Sequence, residues 1–322
     1  MNNNWSTQVP TLALMTLISF SAAQADGGHL LAQAGSKPVL KFSSADYMYY
    51  SAIDAVARNN FAEARSSLAK LRRTQPNAVR NYILESEIFI KEHKFNEALD
   101  SINAALATRQ TSALLLAQRG YIHANMDKEP LAVADYIKAG SSPDLDAQAG
   151  TIVLKGLLEY DRWEEAMVVA RKCMALKVVS GNLCSAASEV ARHLNKLDLA
   201  EKYLTRGLNE CPATLSMIHE ICAVHKQMKK WDAVIKDCEK LPPLEKLGGK
   251  RISYGRCLEC RAEANMNLKN YEKAVNDFTV SISMSPLKSA NFKGRADAYD
   301  KLGKTALAAA DRAKAKQIDN SF

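Results

Sequence analysis

The sequence predicts an all-α fold, a solenoid of antiparallel helix pairs, and three observations predict it. The first is a phrase that recurs at fixed spacing: Phe61-Ala62-Glu63-Ala64, Phe95-Asn96-Glu97-Ala98, Trp163-Glu164-Glu165-Ala166 and Tyr271-Glu272-Lys273-Ala274. Its alanine falls at Ala64, Ala98, Ala132, Ala166 and Ala200, each 34 residues from the last, with Val234 at the next step. Ala274 follows after 40 residues and Ala308 after a further 34, so one six-residue insertion interrupts the register. Self-similarity at such a period marks a stacked-repeat architecture. The second observation is helical spacing of apolar residues inside each half-repeat, as in Ile83, Phe89 and Ile90, or Phe278 and Ile282. The third is that no alternating strand pattern flanks an Asn-Gly or Asp-Gly turn.

Composition agrees. The 322 residues are 47% hydrophobic and 24% charged, with 14 glycines and 9 prolines, which excludes disordered and collagen-like chains. The net charge of +8 is spread, Lys and Arg alternating with Asp and Glu and no run of five like charges. That reads as a solvated mixed surface, and no nucleic-acid partner is expected.

In chain order, residues 1–25 read as a secretory signal. Thr11 to Ala23 is uncharged and mostly apolar, and Ala23-Gln24-Ala25 supplies a small-x-small cleavage pattern that would expose Asp26. Residues 1–10 lack Lys and Arg, and a second Ala-x-Ala lies at Ala32 to Ala34. Thirteen residues are too few to span a bilayer, so the expectation is an exported, periplasmic or extracellular chain with no transmembrane span once processed. The alternative is an uncleaved amino-terminal membrane anchor. Residues 26–44, with Gly27, Gly28, Gly35, Ser36 and Pro38, read as a flexible leader.

Eight repeats then fill 45–322, starting at Ala45, Val79, Ala113, Ala147, Gly181, Leu215, Gly255 and Ser289. A lone helix pair cannot bury enough surface to offset its chain entropy, so neighbours must stack, and close helix approach needs small residues. The eighth position of each repeat reads Ala52, Ser86, Gly120, Leu154, Ser188, Cys222, Ala262 and Ala296, with Leu154 the poor fit. The twenty-fourth reads Leu68, Ile102, Tyr136, Ala170, Leu204, Cys238, Phe278 and Arg312. Pro76, Pro212 and Pro286 stop second helices. The insertion is a loop at about 242–254 carrying Pro242, Pro243, Gly248 and Gly249. In the last helix Arg312, Lys314 and Lys316 replace apolar residues, so that helix is expected to cap the array.

The 34-residue period and this vocabulary resemble the tetratricopeptide repeat family, from Ala45 to Phe322. The resemblance implies a right-handed superhelix whose first helices line a concave groove that holds a protein or peptide partner. Carried over by repeat position, the groove would present Tyr49, Tyr50 and Ile53, then Arg80, Ile83, Leu84, Glu87 and Lys91, then Gln118, Tyr121, Asn125 and Lys155. Later repeats offer polar residues there, among them Glu189, Arg192, Glu220, Lys226, Arg256 and Glu263. An aromatic and aliphatic amino end suits an extended segment or an amphipathic helix. Residues 26–44 folding back over it are the competing occupant. The Lys/Asn arrangement by which chaperone-binding members clamp a terminal carboxylate is not reproduced.

Seven cysteines lie in repeats four to seven: Cys173, Cys184, Cys211, Cys222, Cys238, Cys257 and Cys260. An odd count in an exported chain leaves a free or intermolecular thiol. Cys173, at position 27 of its repeat, and Cys184, at position 4 of the next, form the first candidate disulfide; Cys211 with Cys222 is the weaker one. Cys257 and Cys260 make a C-x-x-C pattern on a helix, without the βαβ setting of a redox motif or the second ligand pair of a zinc site. Cys222 and Cys238 fall at core positions and read as small hydrophobes.

No constellation for catalysis appears. His219-Glu220 opens like a zinc-protease motif, but His225 comes six residues after His219, on another side of a helix. There is no phosphate loop and no nucleophile elbow. The sequence therefore predicts a non-enzymatic binding scaffold without cofactor or metal. A thiol- or metal-dependent envelope factor using Cys257 and Cys260 is the alternative, and a self-associating architectural array a third reading.

Overall fold

The structure, a computed structural model, describes residues 43–108, 112–243 and 251–321. The expected signal, residues 26–42 of the leader and residues 244–250 of the insertion lie outside the described residues.

Within them the chain is helical and no strand occurs. The amino-terminal half holds four helix pairs: α1 Ser44–Ala57 with α2 Phe61–Thr74, α3 Val79–Lys91 with α4 Phe95–Thr108, α5 Ala113–Asn125 with α6 Glu129–Ser141, and α7 Ala147–Glu159 with α8 Trp163–Cys173. The carboxy-terminal half holds four more: α9 Gly181–His193 with α10 Leu197–Glu210, α11 Leu215–Gln227 with α12 Trp231–Cys238, α13 Arg251–Asn267 with α14 Tyr271–Met284, and α15 Ser289–Lys301 with α16 Thr305–Asp319. The division between these two compact halves falls after Val178. Within each half, first helices pack against the first helix of the next pair as well as against their own partner.

Each pair turns in the same way. Asn59, His93, Asp127, Asp161, Asn195, Lys229, Lys269 and Gly303 all have φ between 53° and 72°. The next residue's N–H reaches back to the carbonyl five residues earlier, as Asn60 to Ala55 at 2.8 Å and Lys196 to Ala191 at 2.7 Å. This left-handed closure satisfies carbonyls that the helix end would otherwise leave bare. One of the eight is glycine; four are asparagine or aspartate, at closures of the first, third, fourth and fifth pairs, which tolerate the conformation better than other side chains. Hydroxyl and carboxylate caps start several first helices: Ser112 accepts from Leu115 N–H, Asp146 from Ala149, Ser180 from Leu183 and Thr214 from Met217.

The alanine column is core. Ala64, Ala98, Ala132, Ala166, Ala200, Val234, Ala274 and Ala308 are each 0% exposed. Positions 8 and 24 of a repeat face one another across the pair. At Gly120 an added Cβ would stand 2.8 Å from the Tyr136 ring, and Cys222 Sγ lies 3.6 Å from Cys238 Sγ. The misfit of Leu154 is thereby explained: its counterpart is Ala170, so large and small have changed places, and both are fully buried.

Ion pairs tie first to second helices. Arg119 meets Asp135, Arg261 meets Asp277 and Arg295 meets Asp311, each through Nε and a terminal nitrogen to both carboxylate oxygens, at 2.6–3.0 Å. The aspartates are buried. Two-point pairing of this kind fixes the rotation of one helix on the other. In α16 Arg312 is exposed and bonds to Asp297 and Asp300 of α15, while Ala308, Asp311, Ala315 and Ile318 face inward.

Candidate functional site

First helices turn one side toward their second helices and leave another side open, and that open side is where candidate binding residues gather. In the amino-terminal half, helix phase sorts the residues expected there into two groups. Ile53, Ile83 and Leu84 are core, at most 1% exposed, on the sides of α1 and α3 that pack against neighbouring helices. They do not form an accessible apolar wall, which corrects the expectation of a greasy amino end. Glu87 and Gln118 are buried as well. Tyr50, Arg80, Lys91, Tyr121, Asn125 and Lys155 stay half-buried on the open side.

The centre of this face is Glu87. Gln118 Nε2 donates to its Oε1 at 2.6 Å and also reaches Ser86 Oγ at 3.3 Å. Burial raises the Glu87 pKa, against the Gln118 hydrogen bond and the Lys91 charge, which lower it. Tyr49 is buried beside it, and burial pushes its hydroxyl far above the ordinary range. Tyr121 is pushed up to about 12 by burial, with Glu87 adding to the shift, and it takes an Asn125 amide bond on its carbonyl at 2.8 Å. Arg80 donates to Asp46 at 2.6 Å and sits 5.9 Å from the centre of the Tyr49 ring, which in turn meets Tyr50 edge-on at 5.7 Å. Glu87 is thus held by Gln118, and Arg80 by Asp46 and Gln75.

The carboxy-terminal half differs. The caps Ser180 and Thr214 set the phase of α9 and α11, so Ser188 and Arg192, four apart, share a face, as do Ser216 and Glu220. Among the described residues, four buried side-chain atoms have no hydrogen-bond partner: Asn81 Oδ1, Ser188 Oγ, Arg192 Nε and Glu220 Oε2. Three of the four fall on these two adjacent helices. Glu220 Oε1 accepts from Ser216 Oγ at 2.9 Å. Burial raises the Glu220 pKa, while hydrogen bonds from Ser185 and Ser216 lower it, Glu189 raises it and Arg192 lowers it. His219, beside them, is pulled down by burial and by Arg256, and is neutral at neutral pH. Lys226 pairs with Glu263 at 2.9 Å. Buried donors and acceptors left unmet are costly unless a ligand or water meets them. Sequence reasoning placed Arg192, Glu220 and Arg256 here but passed over Ser185, Ser188, Ser216 and His219. The hydroxyl in the small-residue column at Ser188 was the available signal.

The cysteines are all free thiols. The expected Cys173–Cys184 disulfide is not formed, and Cys184 is buried within its own half, where its side chain packs on Gly207 of α10. Burial raises both thiols to about 12. Cys211 donates to the Val179 carbonyl at 3.5 Å, and Cys222 faces Cys238 instead of Cys211. Cys257 and Cys260 are buried in the same apolar cluster as Cys222 and Cys238, and burial raises both to about 12. Among the described residues no group of three or more His, Cys, Asp or Glu side chains is placed to hold a metal ion, and no helix is long and apolar enough to cross a membrane.

Neither a protein-family profile nor a curated protein matches the chain. Solved structures resemble it at low identity. MamA of AMB-1 aligns with a TM-score of 0.45 and 15% identity, over 55% of this chain and 98% of that one. A tetratricopeptide repeat protein from Parabacteroides merdae aligns at 0.40 and 18%, over 78% and 97%. The Cut9–Hcn1 hetero-tetramer of the APC/C aligns at 0.49 and 15%, over 87% of this chain and 54% of that one. At such scores they carry nothing about activity or partners.

Proposed function

We propose that this protein is a non-catalytic interaction scaffold that holds an extended protein segment on the open side of its first helices. Three unpartnered buried atoms, Ser188 Oγ, Arg192 Nε and Glu220 Oε2, carry this reading. A peptide main chain brings an N–H and a C=O at every residue, the complement that such a mixed set lacks. Acidic neighbours Glu189, Glu220 and Glu263 work against a phosphate backbone. The contact surface therefore lies around α9 and α11, with Tyr50, Tyr121 and Lys91 of the other half as a second surface. The signal-like residues 1–25 support a site of action in the cell envelope or outside the cell.

The test is selection of peptides from a displayed library on the folded chain, followed by titration against variants. Arg192→Ala and Glu220→Gln are expected to weaken a selected peptide about tenfold each, the effect of roughly 1.4 kcal/mol, while Tyr50→Ala changes it less than about twofold. The opposite pattern would move the site to the amino-terminal half. If no peptide is enriched and light scattering finds defined oligomers, the architectural reading replaces this one.

A further inference from the structure

Cys222 stands on α11 and Cys238 is the last residue of α12, at the facing eighth and twenty-fourth positions of one helix pair. Their sulfurs are 3.6 Å apart, in van der Waals contact, and the residues are 0% and 2% exposed. No comparable pair faces across another repeat, because those positions hold Ala, Ser, Gly or Leu opposite Leu, Ile, Tyr, Ala, Phe or Arg. The pair also sits on a short second helix. With 8 residues, α12 is the shortest described helix, against 11–15 for the other second helices. A covalent link at its last residue would anchor this short helix to its partner.

We propose that Cys222 and Cys238 are an oxidation site that closes into a disulfide across the α11–α12 hairpin. The oxidant is an external disulfide, either a small one such as oxidised glutathione or a protein dithiol catalyst in its oxidised form. The Cys222 thiolate attacks one sulfur of it and expels the other as a thiolate, leaving a mixed disulfide. The Cys238 thiolate then attacks Cys222 Sγ and expels the second thiolate. One S–S bond is made and one broken; the two protein sulfurs give up two electrons, the external disulfide is reduced to two thiols, and the two cysteine protons pass to them. Burial shuts the folded pair off from such an oxidant, and the Cys222 thiol also resists ionisation beside Cys238. The exchange therefore runs while the hairpin is open, during folding, and closing the hairpin brings the sulfurs together. Cys257 and Cys260 share the apolar cluster, but Cys238 reaches Cys257 only through its carbonyl, at 3.5 Å, so they are not the partners. This inference does not depend on the binding reading above.

The experiment refolds the full chain from denaturant with a mixture of reduced and oxidised glutathione, then counts thiols in denaturant and maps disulfide-linked peptides. Of seven cysteines, five are expected to remain free, with one linkage joining the peptides of Cys222 and Cys238. The same mixture added to the already folded chain should oxidise the pair at least about tenfold more slowly, because the sulfurs are buried. Cys222→Ala and Cys238→Ala, checked for helicity by circular dichroism, should each keep all their remaining thiols. A wild-type chain that refolds with seven free thiols, or that links any other pair, overturns the proposal.

Discussion

At the eleventh position of two repeats a buried histidine meets an aspartate twelve residues on: His123 with Asp135 at 3.1 Å, and His225 with Asp237 at 2.6 Å. Four residues before each lies the difference. Arg119 already holds Asp135 with two bonds, whereas Ile221 offers none, and Asp237 is shared by His225 and Lys240. Burial lowers the His123 pKa, and the Asp135 charge, partly offset by Arg119, does not restore it. Burial also pulls on His225, but the hydrogen bonds it donates to Asp237 and Glu201, with their charges, outweigh it and raise its pKa. The consequences have opposite signs. The raised His225 pKa contributes stability that is fully present below the unfolded value of about 6.5 and is lost as pH rises through the folded pKa. The lowered His123 pKa costs stability as pH falls from about 6.5 toward its folded pKa. Urea melts at pH 5.5 and 8 should therefore find His225→Gln more damaging at the lower pH, and His123→Gln less so. Equal damage at both values for His225→Gln would refute the assignment.

Still at this scale, the alanine column and the glycines around Tyr136 make packing predictions. Ala98 and Ala166 are fully buried at helix crossings, so Ala98→Leu or Ala166→Leu should cost about 1–3 kcal/mol in a chemical melt. At Gly156 an added Cβ would run into the Tyr136 ring. Gly156→Ala should lose a similar amount, about 1–3 kcal/mol, and Tyr136→Leu in the same chain should recover part of it.

For the helix pair as an element, the turn decides. Each closure needs one residue in the left-handed region, and Lys229 and Lys269 occupy it with long side chains at φ 58° and 62°. Relieving that cost of about 1 kcal/mol while paying glycine's extra chain entropy leaves Lys229→Gly stabilising by about 0.5 kcal/mol. Gly303→Val, at φ 72°, should destabilise by about 1–2 kcal/mol. Thermal melts of the two variants check both signs. These closures were poorly legible in the sequence, because residues as unlike as Asn59, His93, Asp161 and Lys229 share one backbone state. Local composition does not encode it; the carbonyls that each turn must satisfy do. The buried pairing of Arg119, Arg261 and Arg295 with aspartates sixteen residues on was equally hidden among ordinary surface charges.

On the scale of the whole chain, the contacts gather into two halves divided after Val178, each with four pairs and buried residues of its own. Arrays of this kind draw stability from nearest neighbours, so a fragment keeping several pairs keeps most of its interfaces. Residues 43–178 and 179–322, expressed separately, are expected to be helical and to unfold cooperatively. A fragment that is unfolded by circular dichroism at room temperature would show that its core is incomplete alone.

The all-helical class, the 34-residue register and the small buried column were set by the sequence itself, because periodicity records which side of each helix must meet a neighbour. Which residues of the open side remain reachable was decided only by the tertiary structure. Ile83 and Leu84 look like a binding wall in the repeat numbering and are enclosed by packing, whereas Ser188 looks like filler and carries an unmet hydroxyl. The pairing of Cys222 with Cys238 likewise needed two helices brought face to face. Exposure, unmet hydrogen bonds and sulfur proximity depend on where several helices come to rest together, and no single segment contains that information.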